Sequence, residues 1–589
     1  IAPCAYIAHL TCMSLAWYEN QSIAESCNYG PLAVVWPLLD RMDVASIVNR
    51  HLPADTRAEF DHGSVLSLLI AARLYNPVAL VNVADWAERS GADILWGIPV
   101  EKITDDRLGK SLDALFTKRH SILASVALHV AGEFDIPLNE IHYDPTHILF
   151  HGAYERSVPG RDASEDDRVR SDTQLPAAHI ATGRPMSDAP KDAKMVHAGL
   201  CTVVDKLGAL PIFGHTVDGN QNGHTSITEQ PGLLKKHLKL PALTMISDRG
   251  TFSAGHLLRL SETGYQAIAA APWKDFRSLF DEQFEELVWK KASYLSLEQQ
   301  RRRKQGNLPQ EHYELAVRRH ELIDRDSGRS IPCRVIFVYS TADQKVAQKN
   351  REKSIKKSRD GLQRIAQSVE QGRRSTDPTS VARRLSKVLG KRQAADYFKY
   401  EMVLLKKQER DQLPTPQRGC KRPEHRFEFT FDQQAVERDA QYDGYSVLVT
   451  TAARSQSADQ SFSKYKEQSY SELANHEFKT PLAVHPVFLK SPERVEALVF
   501  LMMITLTLYF LIQRIYRAGV PEDASTKEHR TTTQTILGAF NTYMLIIHRT
   551  RLGRHVQPTR LTARQRNILQ RLGFDTPSQI LSRRLPRAP

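Results

Sequence analysis

The chain has 589 residues, enough for several cores, so it is neither a peptide nor a lone binding module. Lys plus Arg outnumber Asp plus Glu by 80 to 67, giving a formal net charge of +13 and a pI near 9.3, which favours a polyanionic partner, nucleic acid ahead of an anionic membrane surface. The six cysteines (Cys4, Cys12, Cys27, Cys201, Cys333, Cys420) form no C-x-x-C pair, which argues against a zinc ribbon or a disulfide framework and for a reducing, cytosolic setting.

Residues 1–30 are an unassigned leader. The stretch IAPCAYIAHLTCMSLAW lacks the basic start of a signal peptide, so secretion is not expected. Over residues 31–125, PLAVVWPLLDRM, SVLSLLIAARLY and LVNVADWAERSGADIL carry apolar residues at helical spacing, with Pro and Gly at the breaks, predicting an all-helical N-terminal domain. From about residue 139 the texture changes. Short β-type runs (IHYDPTHILFHG, HAGLCTVVD, LPIFGHTVDG, LTMISDRG, YQAIAAAPW) alternate with helical stretches such as TSITEQPGLLKKHL and SAGHLLRLSETG, which predicts a mixed α/β domain beginning at 139–275. Between them AYERSVPGRDASEDDRVRSDTQLP is polar, aperiodic and punctuated by Pro and Gly, the pattern of a surface loop.

Residues 276–425 are helix-prone and heavily charged, with QQRRRKQG, KNREKSIKKSRDG and ARRLSKVLGKRQ. Such runs fit either a solvated helix face or a surface that follows a phosphate backbone. Strand character returns at RFEFTFDQQ and YSVLVTTA, so the charged block reads as an insertion within one α/β fold that resumes over 426–517. There ALVFLMMITLTLYFLI, from Ala497 to Ile512, is sixteen residues long, short of the roughly 20 a bilayer requires, and reads as a helix buried on all sides. Residues 518–589 form a basic C-terminal tail in which LTARQRNILQRLGF suggests a small helix pair.

Candidate chemistry lies in carboxylates. Asp144 (HYDPTHILF) and Asp248 (LTMISDRG) stand beside apolar runs where strands would end, although Asp is also a routine turn and cap residue. A third acid comes from YKEQSYSELANHEFKTPL. If that stretch is one helix, seven residues advance 20° short of two turns, so Tyr465, Glu472 and Lys479 fall nearly in line, with Gln468 on the same stripe. The stripe is polar, which fits a functional face and a solvated surface equally well.

The pattern Y-x-x-Q-x3-E-x6-K from Tyr465 to Lys479 resembles the Y-x2-R-x3-E-x6-K signature of the DDE transposases of bacterial insertion sequences. HYDPT, ALPIFGHTVDGN followed by Thr225, SDRGTFS and KTPLAVHPVFLKSPERVEALVFL resemble its other motifs, and the helical front with RHLP, ADWAER and DDRLGKSLDAL resembles an N-terminal domain of one branch. The resemblance spans about residues 30–517. It implies a ribonuclease-H-like catalytic domain, α/β in class, with a long insertion between the second Asp and the Glu, preceded by a helical N-terminal domain that binds DNA. Asp144 and Asp248 are 104 residues apart, and Asp248 and Glu472 are 224 apart, which leaves room for the insertion.

By this resemblance Asp144, Asp248 and Glu472 are the catalytic acids and metal ligands, and Tyr465, Gln468, Lys479 and Arg249 contact DNA. The implied cofactor is Mg²⁺, two ions, with Mn²⁺ as a substitute. The implied partners are double-stranded DNA, both element ends and target, and a second copy of the chain in the synaptic complex. No membrane partner is expected, and the setting is the bacterial cytoplasm at the nucleoid. Two hard cations about 4 Å apart activate water and stabilise the departing oxygen of a phosphodiester, and carboxylates are their natural ligands. The implied reaction cleaves an element end and joins its 3′ hydroxyl to target DNA.

The sequence departs from the signature. Gln468 replaces the Arg and loses its bidentate grip on phosphate, and Ser469, Asn475 and His476 stand where relatives often carry aromatic residues or Arg. A decayed or repurposed protein that only binds DNA is therefore the alternative, with a structure-selective nuclease of the same fold as a third reading. His142, His147 and His151 near Asp144 read as strand histidines, Glu467 and Glu477 as solvated acids off the Glu472 face, and Trp289 as a packing residue rather than a platform for an extruded base.

Overall fold

The computed structural model describes residues 22–589 apart from 54–58, 76, 151–153, 155–175, 183–193, 221–222, 297–298, 300–302, 304–305, 307–310, 373–376, 391–392, 413–421, 454, 480–488, 490, 551–552 and 585–589. The loop expected after HYDPTHILFHG and most of KTPLAVHPVFLK therefore lie outside the described residues.

Strand β1 (Ser22–Cys27) precedes helices α1 (Leu32–Arg41), α2 (Val44–His51), α3 (His62–Tyr75), α4 (Val83–Ser90) and α5 (Asp105–Glu133). The expected helical front end is present and runs a few residues further than its pattern indicated. α3 is apolar around most of its circumference and is buried from Val65 to Leu74. It crosses α2 closely because Gly63 has no Cβ: one there would stand 2.1 Å from the Ala45 carbonyl oxygen. The Thr104 hydroxyl caps α5 by accepting the Arg107 N–H at 3.2 Å, and Asp105 and Asp106 complement the dipole of its first turn.

The α/β region is built on a ten-stranded mixed sheet. Strands β2 (Glu140–Phe150), β3 (Lys194–Asp205) and β4 (Gly208–Asp218) form an antiparallel meander, with helix α6 (Gly223–His237) after it. Strand β5 (Thr244–Ser247) returns to pair parallel with β2, helix α7 (Ala254–Glu262) crosses over, and β6 (Gln266–Ala271) adds parallel to β5 before helix α8 (Trp273–Gln283). β4 is buried at every position, the continuous apolar pattern of a strand covered on both faces.

The long charged block is not solely helical. It supplies two eleven-residue strands, β7 (Tyr313–Ile323) and β8 (Ser330–Ser340), which extend the same sheet. Their alternating sequences, such as SIPCRVIFVYS, carry a period of two that the surrounding charge obscures. Beyond β8, helices α9 (Thr341–Glu370) and α10 (Pro378–Leu389) pack with strands β9 (Phe398–Leu404) and β10 (His425–Phe431) and helix α11 (Gln433–Ala440). This unit has a core of its own, including Leu362, Ile365, Val381, Leu385, Tyr397 and Phe427. The chain then re-enters the sheet as β11 (Tyr445–Thr450), which bridges β6 and β8.

Helices α12 (Ala458–Lys466), α13 (Gln468–Lys479) and α14 (Pro492–Ala518) complete the region. α14 is 27 residues long, longer than its most apolar run, and that apolar window is wholly buried by protein. Its Arg514 forks onto Asp205 at 2.8 and 2.5 Å, tying the helix to the end of β3. At the C-terminal end, β12 (Leu545–Thr550) pairs with β1 and with β13 (Gly553–Pro558). LTARQRNILQRLGF, expected to be a helix pair, holds the single helix α15 (Ala563–Leu572), closed by Gly573 in the left-handed region at φ 70°; a second helix, α16 (Pro577–Arg584), follows beyond it.

Candidate active site

β2 and β5 are neighbours, and their parallel register ends at Tyr143 opposite Ser247. The next residue along each segment is an acid: Asp248 follows directly on β5, while Asp144 lies inside β2, which runs on to Phe150 instead of ending there as its sequence suggested. The backbone of Asp248 is still extended (φ −83°, ψ 176°), so the two carboxylates leave adjacent strands at one level and toward one face. Alternation puts His142 and Asp144 on that face, and α13 covers it: His142 Nδ1–H donates to Gln468 Oε1 at 2.8 Å, while Gln468 Nε2 reaches the Tyr143 carbonyl at 3.5 Å. One and two turns along α13, Glu472 is exposed and Asn475 Nδ2 reaches the Asp144 carbonyl at 3.5 Å. α6 lies on the opposite face, where Gln230 Nε2 donates to Cys201 Sγ at 2.7 Å.

The electrostatics gather the same residues. Burial pushes the Tyr465 phenol above its ordinary pKa, the carboxylates of Asp248 and Glu472 add to the rise, and Arg249 opposes it. Tyr465, Asp248, Arg249 and Glu472 are therefore within electrostatic reach of one another. Asp248 Oδ1 is buried without a hydrogen-bond partner among the described residues, the condition of an oxygen that a cation would satisfy. As the side chains stand, however, no three His, Cys, Asp or Glu among the described residues are close enough to hold a metal ion. The two aspartates share a ledge, and Glu472 flanks it without completing a ligand set.

Three expectations are corrected by the geometry. Tyr465 and Glu472 do not share one helix: the chain breaks at Glu467, between α12 and α13, so their relation comes from packing rather than from a seven-residue stripe. Gln468 is 5% exposed and spends its amide on β2, so it is a buried strut beneath the ledge rather than a surface contact. Glu467 is half-buried rather than solvated, and its carboxyl is pushed up to about 7, first by burial and then by Glu140, with Lys464 opposing. Lys479 ends α13, and its side chain lies outside the described residues.

The other candidates resolve simply. Trp289 packs its ring 5.6 Å from that of Tyr445. His142 and His147 are buried strand residues, and His151 lies outside the described residues. Burial lowers the His142 pKa to about 4, so the ring is neutral at physiological pH. Neither His142 nor Asn475 stood out as a site residue in the sequence. Their common signal is position, His142 two residues before Asp144 on the same strand face and Asn475 three after Glu472.

Residues 25–128, the helical front end, match a family described only as a domain of unknown function, DUF4277. No curated protein matches the chain. Among solved structures the chain is similar to the Mos1 transposase paired-end complex with left transposon end, at 12% identity and a TM-score of 0.13, over 36% of this chain and 60% of that one. The chain thus spans less than two thirds of that relative, and a score so low describes a local superposition that carries nothing about chemistry here.

Proposed function

We propose that this protein is a DNA transposase of the DDE kind, with a ribonuclease-H-like catalytic domain in which Asp144, Asp248 and Glu472 hold divalent metal. The observation that carries the reading is the ledge itself: Asp144 inside β2 and Asp248 just past the end of the adjacent parallel strand β5, Asp248 with an orphaned oxygen, under a helix that presents Glu472. The core order β4-β3-β2-β5-β6, a meander followed by two parallel strands added at its first strand, supports that fold.

Glu472 is exposed, and a change of its rotamer is the motion that would bring it toward the aspartates. Mg²⁺, once bound, would supply an activated water and charge neutralisation at the scissile phosphate. The residues of the chain do the remainder. Tyr465, held protonated first by burial and then by the carboxylates of Asp248 and Glu472, offers an O–H to a phosphate oxygen; exposed Arg249, next to Asp248, offers positive charge, and Lys479 at the end of α13 offers a second; Gln468 and Asn475 hold α13 in register against β2.

A binding-only reading has one observation in its favour, the unassembled ligand set. The two separate on Asp144→Ala, assayed for cleavage of the element's terminal repeats with Mg²⁺. The transposase reading requires wild-type cutting and joining, with the variant binding the same DNA and failing to cut. Binding by both without cutting by either would overturn it. Cleavage of branched DNA without joining would assign a nuclease instead.

A further inference from the structure

Helix α9 carries lysines in a pattern that its fold does not use. With Lys345 at zero, Lys349, Lys353 and Lys356 fall within about 80° of arc, and Lys357 and Arg364 extend it to about 120°. All six are exposed. The buried residues Arg351, Ser358, Leu362, Ile365 and Val369 lie on the opposite side, packed into the inserted unit's own core or its margin. The row from Lys345 to Arg364 is about 28 Å long, with Lys345, Lys349 and Lys353 about 6 Å apart along the axis, Lys356 and Lys357 closer behind, and Arg364 about 10 Å beyond them.

Four other cations of this unit are in ion pairs. Lys399 pairs with Asp432, Arg410 with Glu424, Arg422 with Asp411 and Arg426 with Glu428. Among the described residues, none of the six on α9 is in an ion pair. Glu352 and Asp360 lie within or beside the arc, and Glu352 accepts instead from Gln348 Nε2 at 3.2 Å. Lysines four apart at 345/349, 349/353 and 353/357 repel by a few tenths of a kcal/mol each, a cost the helix bears because its far face is anchored. A polyanion along the row would relieve it.

We propose that the exposed face of α9 tracks the phosphate backbone of double-stranded DNA. This is a binding surface separate from the acidic ledge, and it rests on the DNA-acting reading above for its choice of polyanion. A row this long runs beside about eight phosphates of one strand, each 3.4 Å apart along the duplex axis. Lysine, a compact charge on a flexible stem, suits such contact without reading sequence.

The test measures affinity of the full chain for a random-sequence DNA duplex, and for an RNA duplex of the same length, as a function of salt, in EDTA and on the Asp144→Ala background, so that cleavage plays no part. Replacing Lys345, Lys349, Lys353 and Lys356 with Gln should reduce the slope of log K against log[salt] by about 3 to 4, since each phosphate contact contributes about 0.9. Replacing the same four with Arg should leave the slope near the parent value. A control that removes the same charge from scattered exposed positions, Lys206→Gln, Lys239→Gln, Lys274→Gln and Arg325→Gln, should change it by less than about 1. An unchanged slope in the α9 variant overturns the proposal. So does an equal fall in the control, which would assign the effect to net charge, or a loss confined to an RNA duplex, which would assign another partner. Failure of wild-type cleavage would sink the transposase reading and leave this slope measurable.

Discussion

Acid should weaken the contact beneath the ledge by an amount that His142 sets. Its ring is 2% exposed and its folded pKa is about 4 against an ordinary 6.5, so the folded protein holds it neutral. Above pH 6.5 neither state carries the proton, and the stability is fully present. Between 6.5 and about 4 the unfolded chain takes up a proton that the folded chain refuses, so stability falls through that window. The gap corresponds to roughly 3 kcal/mol for this one group. His142→Asn removes the titration while keeping an N–H donor for Gln468, and other buried histidines such as His256 and His197, whose pKa values are also lowered by burial, act alike in both proteins. The assay is urea unfolding at a series of pH values, followed by fluorescence. Wild type should lose roughly 3 kcal/mol more than His142→Asn on going from about pH 7 to about pH 4. Parallel curves would refute the reasoning.

Two further outcomes follow from single contacts. Arg119 and Glu496 are buried and paired at 2.7 Å, and Glu496 also accepts the Ala178 N–H at 2.6 Å. Arg119→Met should therefore cost about 3 to 5 kcal/mol in urea unfolding by stranding the carboxylate, and adding Glu496→Gln should recover much of it. A cost under about 1 kcal/mol for the single variant would contradict the burial argument. Tyr465→Phe should leave the unfolding midpoint nearly unchanged and slow single-turnover DNA cleavage about tenfold or more, the worth of one charge-assisted hydrogen bond; an unaltered rate would remove Tyr465 from the site.

The sequence made some of this legible and hid the rest for identifiable reasons. The helical front end and α14 could be read because apolar periodicity and a continuous apolar run are local signals. Asp248 could be placed at a strand end because it adjoins a β-type run, whereas Asp144, expected at such an end, lies inside β2, which runs on to Phe150. That they are neighbours could not be read, since it depends on β5 returning beside β2 rather than beside β4, a pairing between segments about a hundred residues apart. β7 and β8 were masked by composition: Arg318, Arg319, Glu321 and Arg334 make strands look like charged helix when charge is weighed before alternation. The break at Glu467 has neither Pro nor Gly to announce it. The backbone there stays near helical values (φ −73°, ψ −8°), and the Tyr470 N–H bonds back to the Glu467 carbonyl at 2.9 Å, so the turn tightens rather than unwinds.

The Gln at position 468 gains a physical account from its neighbour. A guanidinium in this 5% exposed position would bring a desolvated charge against a neutral imidazole, and it has no acceptor to offer the His142 Nδ1–H. Gln supplies the acceptor and no charge. His142 and Gln468 are therefore a matched pair across 326 residues, each polar group satisfied by the other where solvent does not reach. The departure from the transposase signature is on this ground compatible with an intact ledge. Because Gln468 is the first residue of α13, the same hydrogen bond fixes the start of the helix whose second turn carries Glu472, and so bears on where that carboxylate stands.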